Sequence, residues 1–135
     1  MRKLLLSLTF FTTVCFAEIS IEQAWVRMLP PTAKNTAAYM IIKNSSDQPV
    51  SLIKAQSAKF MMVHSHQTKM IDGHAMMKMT KLTVPAKGQV ELKPGGKHLM
   101  LMNRKSSLSL KEKVKIKLLW DNGTTSEVNA EVKAQ

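Results

Sequence analysis

"KVKIKLLWDNGTTSEVNAEV", Lys113 to Val132, is the stretch whose reading decides the fold. Lys113, Lys115 and Lys117 alternate with Val114, Ile116 and Leu118. A period of two puts the apolar side chains on one face of a strand and the lysines on the other. That is the pattern of a half-buried strand with one wet face, expected over Lys113–Trp120. The pair Asn122-Gly123 follows, and both central positions of a type I′ hairpin turn need positive φ. A second strand, Thr125 to Val132, is expected to return antiparallel to the first.

The same grammar extends outward in both directions. Strands are expected at Ile19–Met28, Ala37–Lys43, Val50–Ala55, Phe60–Ser65, Met76–Val84, Gln89–Leu92 and His98–Met102. The turn clusters "LPPT", "NSSDQP", "PAKG" and "KPGG" separate most of them. No long helical period, internal repeat or low-complexity linker interrupts the series. Many short strands at this spacing predict an all-β, antiparallel β-sandwich or barrel.

The first 17 residues read differently. "MRKLLLSLTFFTTVCFA" has a basic start at Arg2 and Lys3, an apolar run and a small residue at Ala17. This is the pattern of a secretory signal peptide, with Glu18 the expected mature N-terminus. The division is therefore residues 1–17 as leader and 18–135 as one domain. The apolar run is shorter than the roughly 20 residues a spanning helix needs, and no later stretch is long enough. A lipoprotein reading, with Cys15 acylated, ranks second because Val14 is bulkier than the residue such sites prefer.

Cys15 is the one cysteine, so the mature domain has no thiol. That excludes a disulfide framework and any thiolate metal ligand. Without Arg2 and Lys3 the net charge falls from +11 to about +9. Nucleic acid is not the expected partner: three of the seven aromatics lie in the leader, leaving little to stack on bases. The lysines of Lys111–Trp120 read as the solvated face of a strand, with an acidic protein surface as the alternative partner.

Chemistry concentrates between Met61 and Met102. All four histidines, His64, His66, His74 and His98, fall there with eight of the eleven methionines. Methionine is more often packing than ligand, and Met61, Met62 and Met102 are read as core. His98 and Met100, two apart on one strand, project together, as do His64 and His66. Imidazole with thioether and no thiolate suits a soft ion, cuprous copper first. Zinc centres favour thiolate or carboxylate partners, and Asp72 is the single acid between Met61 and Leu82. A blue-copper centre needs the cysteine that the mature chain lacks. An enzyme is not expected, because no carboxylate pair and no Ser/His/Asp grouping accompanies the histidines.

The spacing from His64 through Met76 to His98 and Met100 resembles the H(M)-x10-M-x21-H-x-M signature of the PCuAC family of periplasmic copper chaperones. "ELKPGGKHLMLM" (Glu91–Met102), "VPAKG" (Val84–Gly88) and "AWVRMLPPTAKNTAAYMIIKN" (Ala24–Asn44) are similar to the same family. The resemblance implies a cupredoxin-like β-sandwich of Greek-key type; a monomer is expected. It implies one Cu(I) held by His64, Met76, His98 and Met100. It also implies delivery to the binuclear copper centre of cytochrome c oxidase, alongside Sco-type proteins, from a periplasmic location. The sequence departs from the family pattern at Ser65, where an optional methionine is absent, and at "GHAMMKM" (Gly73–Met79). Met77 or Met79 could therefore replace Met76, and His66 could compete with His64. Strand parity separates these options, because Met76 and Met77 must face opposite sides.

Overall fold

The computed structural model describes residues 8–10 and 18–134. The rest of the expected leader, including Cys15, lies outside the described residues. Ten strands run through the domain: β1 (Ile19–Arg27), β2 (Thr36–Asn44), β3 (Val50–Ser57), β4 (Phe60–Ile71) and β5 (His74–Met79). They continue as β6 (Thr83–Val84), β7 (Gly88–Leu92), β8 (Lys97–Arg104), β9 (Lys113–Trp120) and β10 (Thr125–Lys133). No helix occurs among the described residues.

The strands β4-β8-β2-β1-β10-β9-β3 are hydrogen-bonded in that order, and β3 also pairs with β4. The sheet thus closes into a seven-stranded barrel, which removes free edges from its wall. β5, β6 and β7 add to β4, β3 and β2 respectively. Every pairing is antiparallel except β1 with β10, which is parallel.

Alternation builds the core. Val114, Ile116, Leu118 and Trp120 of β9 are fully buried, while Lys113, Lys115 and Lys117 face solvent, as the opening stretch predicts. They meet Leu99 and Leu101 of β8, Met40 and Ile42 of β2 and Val26 of β1 in one cluster. Each fully buried aliphatic side chain contributes roughly 1.5–3 kcal/mol of transfer free energy. The Trp120 indole N–H, a donor that burial would otherwise orphan, donates to Ser126 Oγ at 3.0 Å.

In β1 the register against β2 shifts by one residue between Glu22 and Trp25, with Gln23 at φ 52°. This bulge inverts the alternation. Ile19 and Ile21 face the core before it, Ala24 and Val26 after it. Trp25 and Arg27 are thereby turned outward against Tyr39, with ring centroids 4.6 Å apart and the guanidinium 5.3 Å from the Tyr39 ring.

Two turns differ from the sequence reading. At Asn122-Gly123 only Gly123 has positive φ, 83°, and Gly123 N–H donates to the Trp120 carbonyl at 3.0 Å. Asp121 and Asn122 are thus the centre of an ordinary turn followed by a left-handed glycine, not a type I′ pair. The second difference is larger. β4 does not stop at Ser65 but runs to Ile71, and it returns as β5 through Asp72 and Gly73, both at positive φ (51° and 77°). That Asp-Gly pair makes the type I′ turn. The expected strand from Met76 to Val84 is split into β5 and β6.

Candidate metal centre

The register of β4, β8 and β5 determines which donors share a face. On β4 and β8, Met62 stands opposite Met102, His64 opposite Met100 and His66 opposite His98. On β4 and β5, His66 stands opposite Met79, Thr68 opposite Met77 and Met70 opposite Ala75. Directly opposed residues project from the same face. The outward face of this three-stranded ribbon therefore carries Met62, Met70, Met77, Met79, Met100 and Met102 together with His64, His66 and His98. None of its positions bears a formal charge, in a chain of net charge +11. Val63, Leu99 and Leu101 point the other way, into the core.

Three of the four residues expected as ligands, His64, His98 and Met100, are brought together here. Met76 is not. It stands opposite Lys69, so it leaves from the reverse face, five residues along β4 from the level of His64. At the strand rise that is on the order of 16 Å. Met79 and His66 are the donors that this register adds. The hairpin that moves Met76 away is the one set by Asp72-Gly73, a signal readable in the sequence.

His98 is held from below by a chain of local causes. In "KPGG", Gly96 N–H donates to the Lys93 carbonyl at 3.0 Å, with Pro94 second and Gly95 third at φ 81°. This is a type II turn, which needs glycine at the third position. It presents the Gly96 carbonyl to His98 Nδ1 at 3.1 Å. Nδ1 must be the protonated nitrogen to make that bond, so Nε2 carries the free lone pair. His98 is only 3% exposed, and its Nε2 has no hydrogen-bond partner. Across the strand, His66 Nδ1 is likewise buried and unpartnered.

Buried polar atoms are nearly always satisfied, and two orphans on facing imidazoles call for an absent partner. A metal ion is the partner that accepts lone pairs. The ring centroids lie 6.0 Å apart for His66 and His98, and 6.5 Å for His64 and His66. Burial, then the neighbouring rings of His98 and His64, holds the His66 pKa below its ordinary value. His66 is thus biased toward the neutral form that binds metal. Among the described residues no three His, Cys, Asp or Glu side chains form a metal cage by themselves. A soft ion held here must take sulfur from the methionines.

Tyr39, buried beside His98 with ring centroids 6.4 Å apart, walls the centre on the barrel side. Burial pushes the pKa of its hydroxyl up, and the Arg27 cation opposes that shift. A cleft of about 260 Å³ opens between Tyr39, His98, Met100 and Met77. Met61 and Met62, read as core from the sequence, are both exposed. The barrel interior is already filled by β-branched residues and leucines, and Met40 is the methionine that packs there.

Known proteins share this arrangement of strands. The family model "Putative lipoprotein LpqE-like" matches residues 19–132. A "Putative lipoprotein" of Leifsonia xyli subsp. xyli is 30% identical over 117 residues, covering 85% of this chain and 69% of that protein. The Cu(I)-bound DR1885 protein of Deinococcus radiodurans is 39% identical, with a TM-score of 0.68 over 84% of this chain and 76% of its own. The copper-bound PCuAC domain from PmoF2 is 25% identical, with a TM-score of 0.74 over 90% and 97%. The cupredoxin-like fold expected from the sequence is the fold these domains share.

Proposed function

Because the chain belongs to the LpqE-like family of PCuAC domains, we propose that it is an exported copper chaperone that carries one Cu(I) as cargo. His64, His98 and Met100 are retained as ligands, and Met79 takes the place of Met76 as the second thioether. His66 stands by as a further imidazole. The observation that carries this reading is the register of β4 and β8, with His64 against Met100 and His66 against His98.

The donor set explains both retention and release. Neutral imidazoles and thioethers bring no negative charge, which favours the monovalent ion over the divalent one. The outward face leaves room for an acceptor's ligands to enter before these leave. In keeping with the family resemblance, the acceptor is the subunit of cytochrome c oxidase that carries the binuclear copper centre, with Sco-type proteins as co-workers. Lys69, Lys93, Lys97, Arg104 and Lys105 give the strands and turns next to the site a positive charge that would steer docking onto an acidic surface.

The location proposed is the periplasm. Cleavage after Ala17 leaves a free domain, whereas acylation at Cys15 would anchor it, as the lipoprotein names of its family model and of one relative suggest. Mass spectrometry of the mature N-terminus distinguishes Glu18 from a lipidated Cys15.

A second reading, an envelope copper buffer without a dedicated acceptor, is favoured by one feature: the outward face holds more thioethers than one ion needs. X-ray absorption of the cuprous-loaded protein tests the centre, since two sulfur and two nitrogen neighbours are expected. A shell of nitrogen and oxygen alone would refute it. Titration under reductant then separates the roles, one tight ion for delivery and several weak ones for storage.

A further inference from the structure

Methionines usually earn their place by filling a core, yet the β4–β5 hairpin exposes three of them in a row. Met79, Met77 and Met70 are 68%, 59% and 69% exposed. All three occupy the outward face, at successive levels of the hairpin: Met79 opposite His66, Met77 opposite Thr68, Met70 opposite Ala75. Packing does not account for them. β5 pairs with β4 alone, so nothing in the barrel covers this face. The reverse face of the same ribbon carries Lys69, Lys78 and Lys97, whose charges repel a cation.

Resting on the copper-centre reading, we infer that this face is a transfer track, along which a cuprous ion passes between the centre and the hairpin tip in the order Met79, Met77, Met70. The spacing permits it. Side chains two apart on one strand lie about 7 Å apart, and diagonal cross-strand neighbours lie about 7–8 Å apart. Met79 to Met77 is the first kind of step, and Met77 to Met70 the second. Two flexible thioethers at that separation can hold one soft ion between them, so each step forms one sulfur bond before the last one breaks. No electron is exchanged and the ion stays cuprous throughout. Ala75, small and opposite Met70, leaves the final step open to an incoming partner. Such a partner presents soft donors of its own to the hairpin tip, and it need never reach into the cleft beside Tyr39.

The test uses the whole domain labelled with ¹³C at the methionine methyl groups and titrated with Cu(I) under anaerobic reductant. The first equivalent is expected to shift Met100 and Met79, and exchange is expected to broaden Met77 and Met70. Met76 on the reverse face and Met40 in the core are expected to stay sharp. If Met100 and Met79 respond while Met70 and Met77 do not, the track is wrong and the centre stands. If Met100 is silent too, the copper-centre reading fails and takes the track with it. Equal broadening of Met76 and Met70 indicates indiscriminate thioether binding and likewise overturns the track. A second measurement follows self-exchange of copper between labelled empty and unlabelled loaded protein. Met70→Leu keeps the shape and exposure of the hairpin, so its centre should bind Cu(I) within about twofold of wild type. Its exchange should be slower by about fivefold or more, and an unchanged rate refutes the proposal.

Discussion

His66 on β4 and His98 on β8 stand directly opposite each other, their ring centroids 6.0 Å apart, and each has a buried nitrogen that meets no partner. Across the next level of the same two strands His64 faces Met100. A nitrogen–nitrogen pair stacked beside a nitrogen–sulfur pair forms a rectangle of donors on one face of the barrel wall. Its physical consequence is that no loop has to fold over to assemble the centre. Hydrogen-bonding of β4 with β8, and of β5 with β4 so that Met79 stands against His66, brings it together.

Removing the best-anchored ligand should abolish tight binding. His98→Ala is expected to weaken Cu(I) affinity by at least about 100-fold, more than the loss of an outer-shell partner costs. Competition against a colourless cuprous chelator measures it. Loss of less than tenfold would mean that His98 is a packing residue.

Met79 and Met76 give opposite expectations. Met79→Ala should weaken Cu(I) binding by about tenfold or more, whereas Met76→Ala should leave it within about twofold, because Met76 faces away beside Lys69. The reverse result would require the β4–β5 register to slip by an odd number of residues on loading.

Stability of the metal-free domain should depend on pH through His66. Burial holds its folded pKa below the unfolded value of about 6.5. Below that value the unfolded chain binds the proton more readily, so stability rises with pH there. The contribution is complete above about pH 6.5 and is lost as pH falls through the folded value. Thermal denaturation between pH 4.5 and 7.5, compared with His66→Gln, should show a shallower slope in the variant. Equal slopes would remove His66 as the cause.

Gly95→Ala should cost about 1 kcal/mol, because φ 81° is unfavourable for a residue with a Cβ. No heavy atom lies within 4 Å of where that Cβ would go, so the loss is conformational and not steric. A fall in melting temperature of roughly 4 °C is expected. Copper affinity should fall with it, since the same turn aims the Gly96 carbonyl at His98.

Much of this molecule was legible in the chain. The boundaries of β9 are those expected, and β1, β2, β3, β7, β8 and β10 lie within one or two residues of expectation, because apolar alternation and turn residues act locally. β4 and β5 were misjudged where two signals competed. The polar run after Ser65 looked like loop, yet Asp72-Gly73 is a hairpin pair that extends both strands, and long polar strands survive on an edge where one face stays wet.

The sequence by itself determined that the domain is all-β, that no thiol can bind metal, and that imidazole and thioether are the donors on offer. Composition and period suffice for those points. Only the tertiary structure decided which donors share a face. Register between strands distant in the chain depends on a turn, and one Asp-Gly turn carries Met76 to the reverse side and sets Met79 against His66. The spacing along the chain counts residues, whereas a metal ion counts neighbours in space.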